Sequence, residues 1–437
     1  MHEINISTTH AAIAGPPLAE WLFTDPSHPT RSATAPVDDL RQPFAHRGPS
    51  ALPSGARPTH ATRDTLELSR PRPTLPPPSG PARHNVAQTP STSTAKTLAL
   101  IPAHNEERDI AVAVRSVKHQ VNEVVVVADN CSDDTAAIAV SEGASVYTTR
   151  GNRAKKAGAL NQALEEYLPS LADGDFVILM DADSALCEGW VEKATGHYTP
   201  ATGGISGAYL PRYERGFVPL LQRIEYAQER RRIARRRGRV DVLSGVATLF
   251  SAKVLREVAD KRGGVLPGRR GWIYDESSLT EDFEITIALR HMGYHPRAPK
   301  ECLVETDIMP NWRMLYAQRI RWQRGTLETL NAYPSMRALP LMLIQAWTYL
   351  RSFAWPVVIA LLSVAAYYNV LSVRSWWLLI IPLIVVEQVV STWRAGPAAR
   401  IVAGVLLPVI LYDNFRGYVY WASLWKSVRK HTPTWTT

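Results

Sequence analysis

The chain has 437 residues, 46% of them hydrophobic, which allows two or three domains and at least one large buried core. Its three cysteines, Cys131, Cys187 and Cys302, stand far apart with no His or Cys at metal-binding spacing, which argues against a structural zinc and suits a reducing compartment. The net charge of +9 is uneven: residues 337–437 hold 9 Lys/Arg against 2 Asp/Glu, while the rest is nearly balanced, so the basic excess suits an anionic membrane face and no nucleic acid.

Half of the 32 prolines precede Lys96, in a stretch rich in Ser, Thr, Ala and His. Such a segment buries too little apolar surface to offset its chain entropy, so residues 1–95 are expected to be a disordered Pro-rich tail. No apolar run within it has the length of a signal peptide or a membrane anchor.

From Thr97 the pattern alternates apolar runs with amphipathic stretches. Thr97–Ile101 and Glu123–Ala128 have the character of buried parallel strands, and residues 106–119 between them have helical periodicity, with Asn105 as the expected cap. Asp129 ends the second strand, and Ser132 or Asp133 is the expected cap of the next helix. Phe176–Met180 makes a further strand running into Asp181. This βαβ progression predicts a mostly parallel sheet with ligands outside the carboxyl ends of its strands, where Asp129 and Asp181 both fall.

Asp181-Ala-Asp183 places both carboxylates on one side if the strand continues through Asp183, which suits a divalent cation. A solvated acidic turn is the plain alternative. Ser278 with Glu281 matches a capping box ahead of a helix to His291, so Glu281 and Asp282 can also be read as complements of a helix N-terminus. Gln318, Arg321 and Trp322 fall at i, i+3 and i+4 and share a helix face, which equally describes a basic helix on a membrane surface. Residues 229–239 carry seven arginines on several faces, the pattern of a solvated or lipid-facing helix.

Beyond about Pro340 the texture is apolar. Residues 355–371 and 376–390 are just long enough to span a bilayer, and residues 341–353, with Gln345 and Arg351, suit an interfacial helix. A third candidate, residues 401–425, contains Asp413, Asn414 and Arg416. The positive-inside rule applied to Arg394, Arg400, Lys426, Arg429 and Lys430 predicts a two-span hairpin and then an interfacial or re-entrant segment in which Asp413 pairs with Arg416.

The ordered set Pro102-Ala-His104-Asn105-Glu106, Ala128-Asp129-Asn130, Lys156 to Asn161, Asp181-Ala-Asp183, Thr280-Glu281-Asp282 and Gln318-Arg-Ile-Arg321-Trp322 closely resembles the membrane-bound family-2 glycosyltransferases that build polysaccharides from nucleotide sugars. The resemblance covers Thr97 to the C-terminus. It implies an α/β fold of the GT-A type with a mostly parallel sheet: a cytosolic catalytic domain at 96–336, then membrane-associated helices at 337–437. It further implies that Pro102, His104, Glu106, Asp129, Lys156 and Asp181 bind a donor, preferably a UDP-sugar. Asp181 and Asp183 would hold Mg²⁺ or Mn²⁺, Asp282 would be the catalytic base, and Arg321 would stabilise the leaving group. Gly245, Glu281, Gln318 and Trp322 would face a glycan or lipid-linked acceptor, and the chain would be a multi-pass protein of the cytoplasmic membrane in contact with its lipids. Many of these synthases have spans ahead of the catalytic domain, so single transfer to a lipid or protein is the alternative within this chemistry. A non-catalytic glycan-binding subunit is the alternative outside it.

Overall fold

The computed structural model describes residues 95–212, 214–333, 338–370, 372 and 379–429; the tail assignment and Lys430 lie outside them. In chain order the described elements of the first part are β1 (Thr97–Ala103), α1 (Ile110–Val117), β2 (Glu123–Ala128), α2 (Thr135–Ser141), β3 (Ser145–Thr148), α3 (Lys155–Tyr167), β4 (Phe176–Met180), β5 (Ala185–Leu186), α4 (Trp190–Gly196), β6 (Thr202–Ser206) and β7 (Ala208–Pro211). They continue as α5 (Phe217–Arg235), β8 (Ala247–Ser251), α6 (Ala252–Lys261), α7 (Glu281–His291), β9 (His295–Arg297), β10 (Leu303–Thr306) and α8 (Trp312–Ala332). The C-terminal helices are α9 (Leu339–Tyr367), α10 (Ile380–Ser391), α11 (Pro397–Val405) and α12 (Leu407–Val428).

The main sheet has the order β3-β2-β1-β4-β8-β6-β9. The β1–β2, β2–β3, β1–β4 and β6–β9 pairs are parallel, and only β8 runs against its neighbours β4 and β6. Strand parity divides the core. Leu98, Leu100, Val125, Val127, Val177 and Leu179 face α3, α6 and α7. Ala99, Ile101, Val124, Val126, Ile178 and Met180 face α1, α2 and α4. Because helices cover both faces, the central strands are apolar on both sides, which is why β1, β2 and β4 read as hydrophobic runs after their first residues. A second sheet, β5-β10-β7, flanks the first and has no counterpart in the sequence reading, since strands of two to four residues carry no periodicity.

Three local expectations are corrected. Asn105 does not cap α1: it sits at φ 58° five residues before the helix, and its side chain accepts from Ser132 N at 2.8 Å, tying the loop after β1 to the loop after β2. β4 ends at Met180, so Asp181 and Asp183 lie in a turn rather than on a continuing strand. The capping box at α7 does not form either: Thr280 is the N-cap, its side chain makes no cap bond, and Ser278 instead bonds the backbone of Thr280. At α2 the N-cap position is Asp134, but Asp133 does bond Thr135 N, at 3.1 Å.

The C-terminal helices also differ from the expected division. Residues 341–353 are no separate interfacial helix, because α9 runs unbroken for 29 residues. Among the described residues α9 is the one helix long and apolar enough to cross a membrane by itself. The α10 helix has 12 described residues, and 373–378 ahead of it lie outside the description. The third candidate is broken: α11 and α12 meet at 79°, with Leu406 at φ 63° in the break. Val409, Tyr412, Val419 and Ser423 form the buried face of α12, while Leu407, Leu411, Tyr418 and Val428 are exposed. Asp413 and Arg416 pair at 3.4 Å, as their spacing predicted. A cluster of Leu220, Leu221 and Ile224 from α5, Leu315 from α8, Ala399 and Val402 from α11 and Tyr412 from α12 joins these helices to the α/β part.

Candidate active site

The carboxyl ends of β1, β2 and β4 and the start of α7 gather most of the motif residues. Three non-glycine residues with left-handed backbone stand around this edge: Asn105 after β1, Asn130 after β2 and Lys155 at the start of α3, with φ of 58°, 52° and 57°. Asparagine tolerates that conformation; for lysine it is a strained choice, and such strain concentrates at functional loops.

On the β1–β2 side, His104 Nδ1 lies 2.6 Å from the Asp129 carbonyl oxygen. The buried Asp129 carboxylate accepts from Thr149 Oγ1 at 2.7 Å and Asn130 Nδ2 at 3.0 Å, both through Oδ1. Asp129 therefore holds its own loop together. Glu106 is anchored through its backbone N–H to Thr135 Oγ1 at 2.8 Å. Burial, reinforced by Asp109 and Asp181, raises the Glu106 carboxyl above its usual range.

The centre of the site is Lys156. Its Nζ lies 2.5 Å from Asp181 Oδ1 and 2.7 Å from Glu281 Oε1, joining side chains 25 and 125 positions away. Burial opposes the Lys156 charge, but the two carboxylates outweigh it and hold the ammonium well above its usual value. For Glu281 burial is likewise overcome, by Lys156 and more distantly by Arg321, and its carboxyl is lowered. Glu281, expected at the acceptor, is thus the partner of Lys156.

Asp282 accepts from the Gly245 N–H at 3.1 Å and from Phe283 N at 2.7 Å, and burial followed by its neighbour Glu281 pushes its carboxyl up to about 6. Gly245 has a steric reason to be glycine: a Cβ there would stand 3.2 Å from Asp282 Oδ2 and 3.3 Å from Lys156 Nζ. Lys156, Gly245, Tyr274, Glu281 and Asp282 line one cavity over Leu179.

Asp183 stands apart from Lys156. Its hydrogen-bond partner is the Ser184 hydroxyl at 3.1 Å, and burial, with Asp181 and then Asp307 nearby, pushes its carboxyl up to about 7. A half-buried carboxylate among other carboxylates, with no protein cation paired to it among the described residues, fits a hard divalent ion that takes one or two protein oxygens and completes its shell with phosphate and water. Among the described residues no cluster of three or more His, Cys, Asp or Glu forms a full protein cage.

The α8 motif approaches from the other side. Arg321 lies near enough to Asp181 and Glu281 to favour their charged forms. Trp322 is covered by the Arg319 guanidinium, 4.4 Å from the ring centroid. Gln318 Oε1 is buried and has no hydrogen-bond partner among the described residues. The arginine run at the end of α5 is tied down by acids: Arg236 and Arg232 lie 2.6 and 3.5 Å from Asp241, and Arg232 is 2.8 Å from Glu229.

Sequence reasoning missed several site-forming residues. Tyr274, Thr149 and Gly325 belong to no motif, and only their contacts across the fold reveal them.

A mostly parallel sheet with acidic residues at its carboxyl edge defines a GT-A-like α/β fold. That fold is shared with a mannosyltransferase from Pyrobaculum calidifontis solved with GDP-Man and Mn²⁺, at TM-score 0.50 and 18% identity over 77% of this chain and 88% of the other. Residues 176–390 match the family described as glycosyl transferase family group 2. It is also 27% identical over 284 residues to the poly-beta-1,6-N-acetyl-D-glucosamine synthase of Staphylococcus epidermidis, a match covering 60% of this chain and 62% of that one. The enzyme of the same name from Staphylococcus aureus is 25% identical over 247 residues, covering 53% and 54%. The chain thus spans little more than half the length of the curated relatives it matches.

Proposed function

We propose that this protein is an inverting glycosyltransferase that moves a sugar from a UDP-sugar to a glycan acceptor at a membrane surface, extending a polysaccharide. The observation that carries the reading is the placement of Asp282: a carboxyl near neutrality, oriented by the Gly245 N–H, next to the Lys156, Asp181 and Glu281 ion cluster. N-acetylglucosamine is the favoured sugar, from the names of the curated relatives.

In this reading the acceptor hydroxyl oxygen attacks the anomeric carbon as the bond from that carbon to the diphosphate oxygen breaks. The hydroxyl proton passes to Asp282, which must reach it within hydrogen-bond distance. Lys156 bridges Asp181 and Glu281 and keeps Glu281 from competing with Asp282 for the proton. Arg321 steadies the negative charge that develops on the departing diphosphate. Asp181 and Asp183 would hold Mg²⁺ or Mn²⁺, whose charge offsets that of the diphosphate. Pro102, His104, Glu106 and Asp129 border the nucleotide, while Gly245, Gln318 and Trp322 face the acceptor.

For the C-terminal region we read a membrane association with the α/β part in the cytosol. At about 1.5 Å per residue α9 is about 43 Å long, more than the roughly 30 Å of a bilayer core, and its side chains are largely exposed. The exposed apolar face of α12 suits the interface. The test is to incubate membranes containing the protein with labelled UDP-N-acetylglucosamine, UDP-glucose and GDP-mannose and to size the products. Transfer from a UDP-sugar into a polymer supports the reading. A single-sugar adduct would replace polymer extension by single transfer, and no transfer from any donor would favour a non-catalytic subunit.

A further inference from the structure

The motif reading leaves Glu225 without a role, yet this carboxylate in the middle of α5 joins three helices. Its Oε2 accepts from Arg319 of α8 at 2.7 Å and from the Tyr412 hydroxyl of α12 at 2.7 Å, and its Oε1 lies 3.8 Å from Arg416 of α12. Arg319 is held by Glu225 on one side and lies over the Trp322 ring on the other. A guanidinium stacked on an indole gains from both planarity and charge, and fixing the guanidinium fixes the ring it covers.

The same node reaches the site by a second route. The next residue, Tyr226, lies against Arg319 and stacks on Tyr209 at 5.2 Å between centroids. Tyr209 in turn lies near Ser244, immediately before Gly245. Among the described residues Glu225 faces Arg319, Arg416 and the Tyr412 hydroxyl, with the like charge of Asp413 farther off, so its geometry is set by the helices that supply its partners.

We propose that Glu225 is a positioning residue through which α12 sets the Trp322 indole of the acceptor site and the Tyr209 ring near Ser244. This rests on the reading of Trp322 as the acceptor platform. Tyr412 is the contact by which the C-terminal helix enters: it supplies a donor to Glu225 and packs its ring near Phe415 and Trp312. The consequence is a division of labour, in which donor binding depends mainly on the sheet edge and acceptor binding depends also on the docking of α12.

The test uses the full-length protein in lipid nanodiscs, with UDP-N-acetylglucosamine as donor and a β-1,6-linked N-acetylglucosamine tetrasaccharide as acceptor probe. Tyr412→Phe and Glu225→Gln are each expected to raise the acceptor KM by about fivefold or more while the donor KM stays within about twofold. Because the two residues act through one link, the double variant is expected to be no worse than about the more damaging single one. Trp322→Ala separates this proposal from the reading beneath it. If Trp322→Ala raises the acceptor KM but Tyr412→Phe and Glu225→Gln leave it at the wild-type value, the positioning role is refuted and the platform stands. If Trp322→Ala has no effect, the platform reading fails and the proposal with it. A uniform loss of kcat and both KM values together with a lower melting temperature would make Glu225 merely a structural tie, and would also overturn the proposal.

Discussion

Gly325 of α8 lies directly against the Thr280 side chain at the start of α7. A Cβ on Gly325 would stand 2.3 Å from Thr280 Oγ1, 2.6 Å from Cγ2 and 2.9 Å from Cβ, so a side chain at 325 and threonine at 280 exclude each other. This close approach lies one helical turn from Arg321 and one residue from Glu281, and it draws the α8 motif to the acidic cluster. Overpacking of this kind costs about 1–3 kcal/mol and displaces the helix. Gly325→Ala is therefore expected to lower transfer by at least about tenfold while UDP binding is retained. Thr280→Gly, which removes all three clashing atoms and leaves an acceptable N-cap residue, is expected to restore activity in the double variant. A double variant as impaired as Gly325→Ala alone would show that the close approach is not what matters.

The carboxylate Asp183 is expected to act on donor affinity. Replacing it by asparagine leaves the volume and removes the negative oxygen, a poorer ligand for a hard cation. Titration calorimetry with UDP and Mn²⁺ should show Asp183→Asn binding at least about tenfold more weakly, with little difference when Mn²⁺ is left out. Equal Mn²⁺-dependent affinity in the two proteins would remove Asp183 from the metal site.

Acidity supplies a separate check. The Asp282 carboxyl is pushed up to about 6, and a base acts only when deprotonated. The sign is therefore that transfer is present above pH 6 and lost as pH falls through it, by about tenfold per unit on the acid limb. The kcat/KM profile in the free enzyme should show this limb between about pH 5 and 6.5. A flat profile down to pH 5 would place the proton elsewhere.

A buried ion pair braces the start of α7. Arg262 and Glu284 lie 2.5 Å apart with side chains 0% and 2% exposed, and the Tyr333 hydroxyl hydrogen-bonds both. Removing one partner leaves a buried charge uncompensated, at a cost of about 3–5 kcal/mol. Arg262→Met is expected to lower the melting temperature of the detergent-solubilised protein markedly, and the double variant Arg262→Met with Glu284→Gln to recover part of the loss. A melting temperature unchanged in Arg262→Met would mean that the pair contributes no net stability.

How much of this was legible in the sequence depends on sequence distance. The central strands announce themselves as apolar runs because helices bury both their faces, and each ends where its motif acid stands, at Asp129 and Asp181. The α8 motif shares a face because Gln318, Arg321 and Trp322 are local to one helix. By contrast the Lys156 bridge to Asp181 and Glu281, the Glu225 node and the Gly325–Thr280 contact each join different elements, and no periodicity encodes them. Local chemistry was also overridden. The Ser278–Glu281 spacing offers a capping box, but the Glu281 side chain instead meets Lys156, a charged partner that outcompetes a backbone N–H. In α9 the polar Gln345 and Arg351 suggested a break that the continuous helix does not make.

The most direct test of the account is single-turnover transfer by the purified full-length protein, wild type against Asp282→Asn, with UDP affinity measured on the same samples. The amide keeps the shape beside Gly245 but cannot take a proton, so UDP should bind within about twofold of wild type while transfer falls by at least about 100-fold. Transfer by Asp282→Asn at a rate near that of wild type, with UDP bound equally well, would contradict the assignment of Asp282 as the base and with it the proposed mechanism.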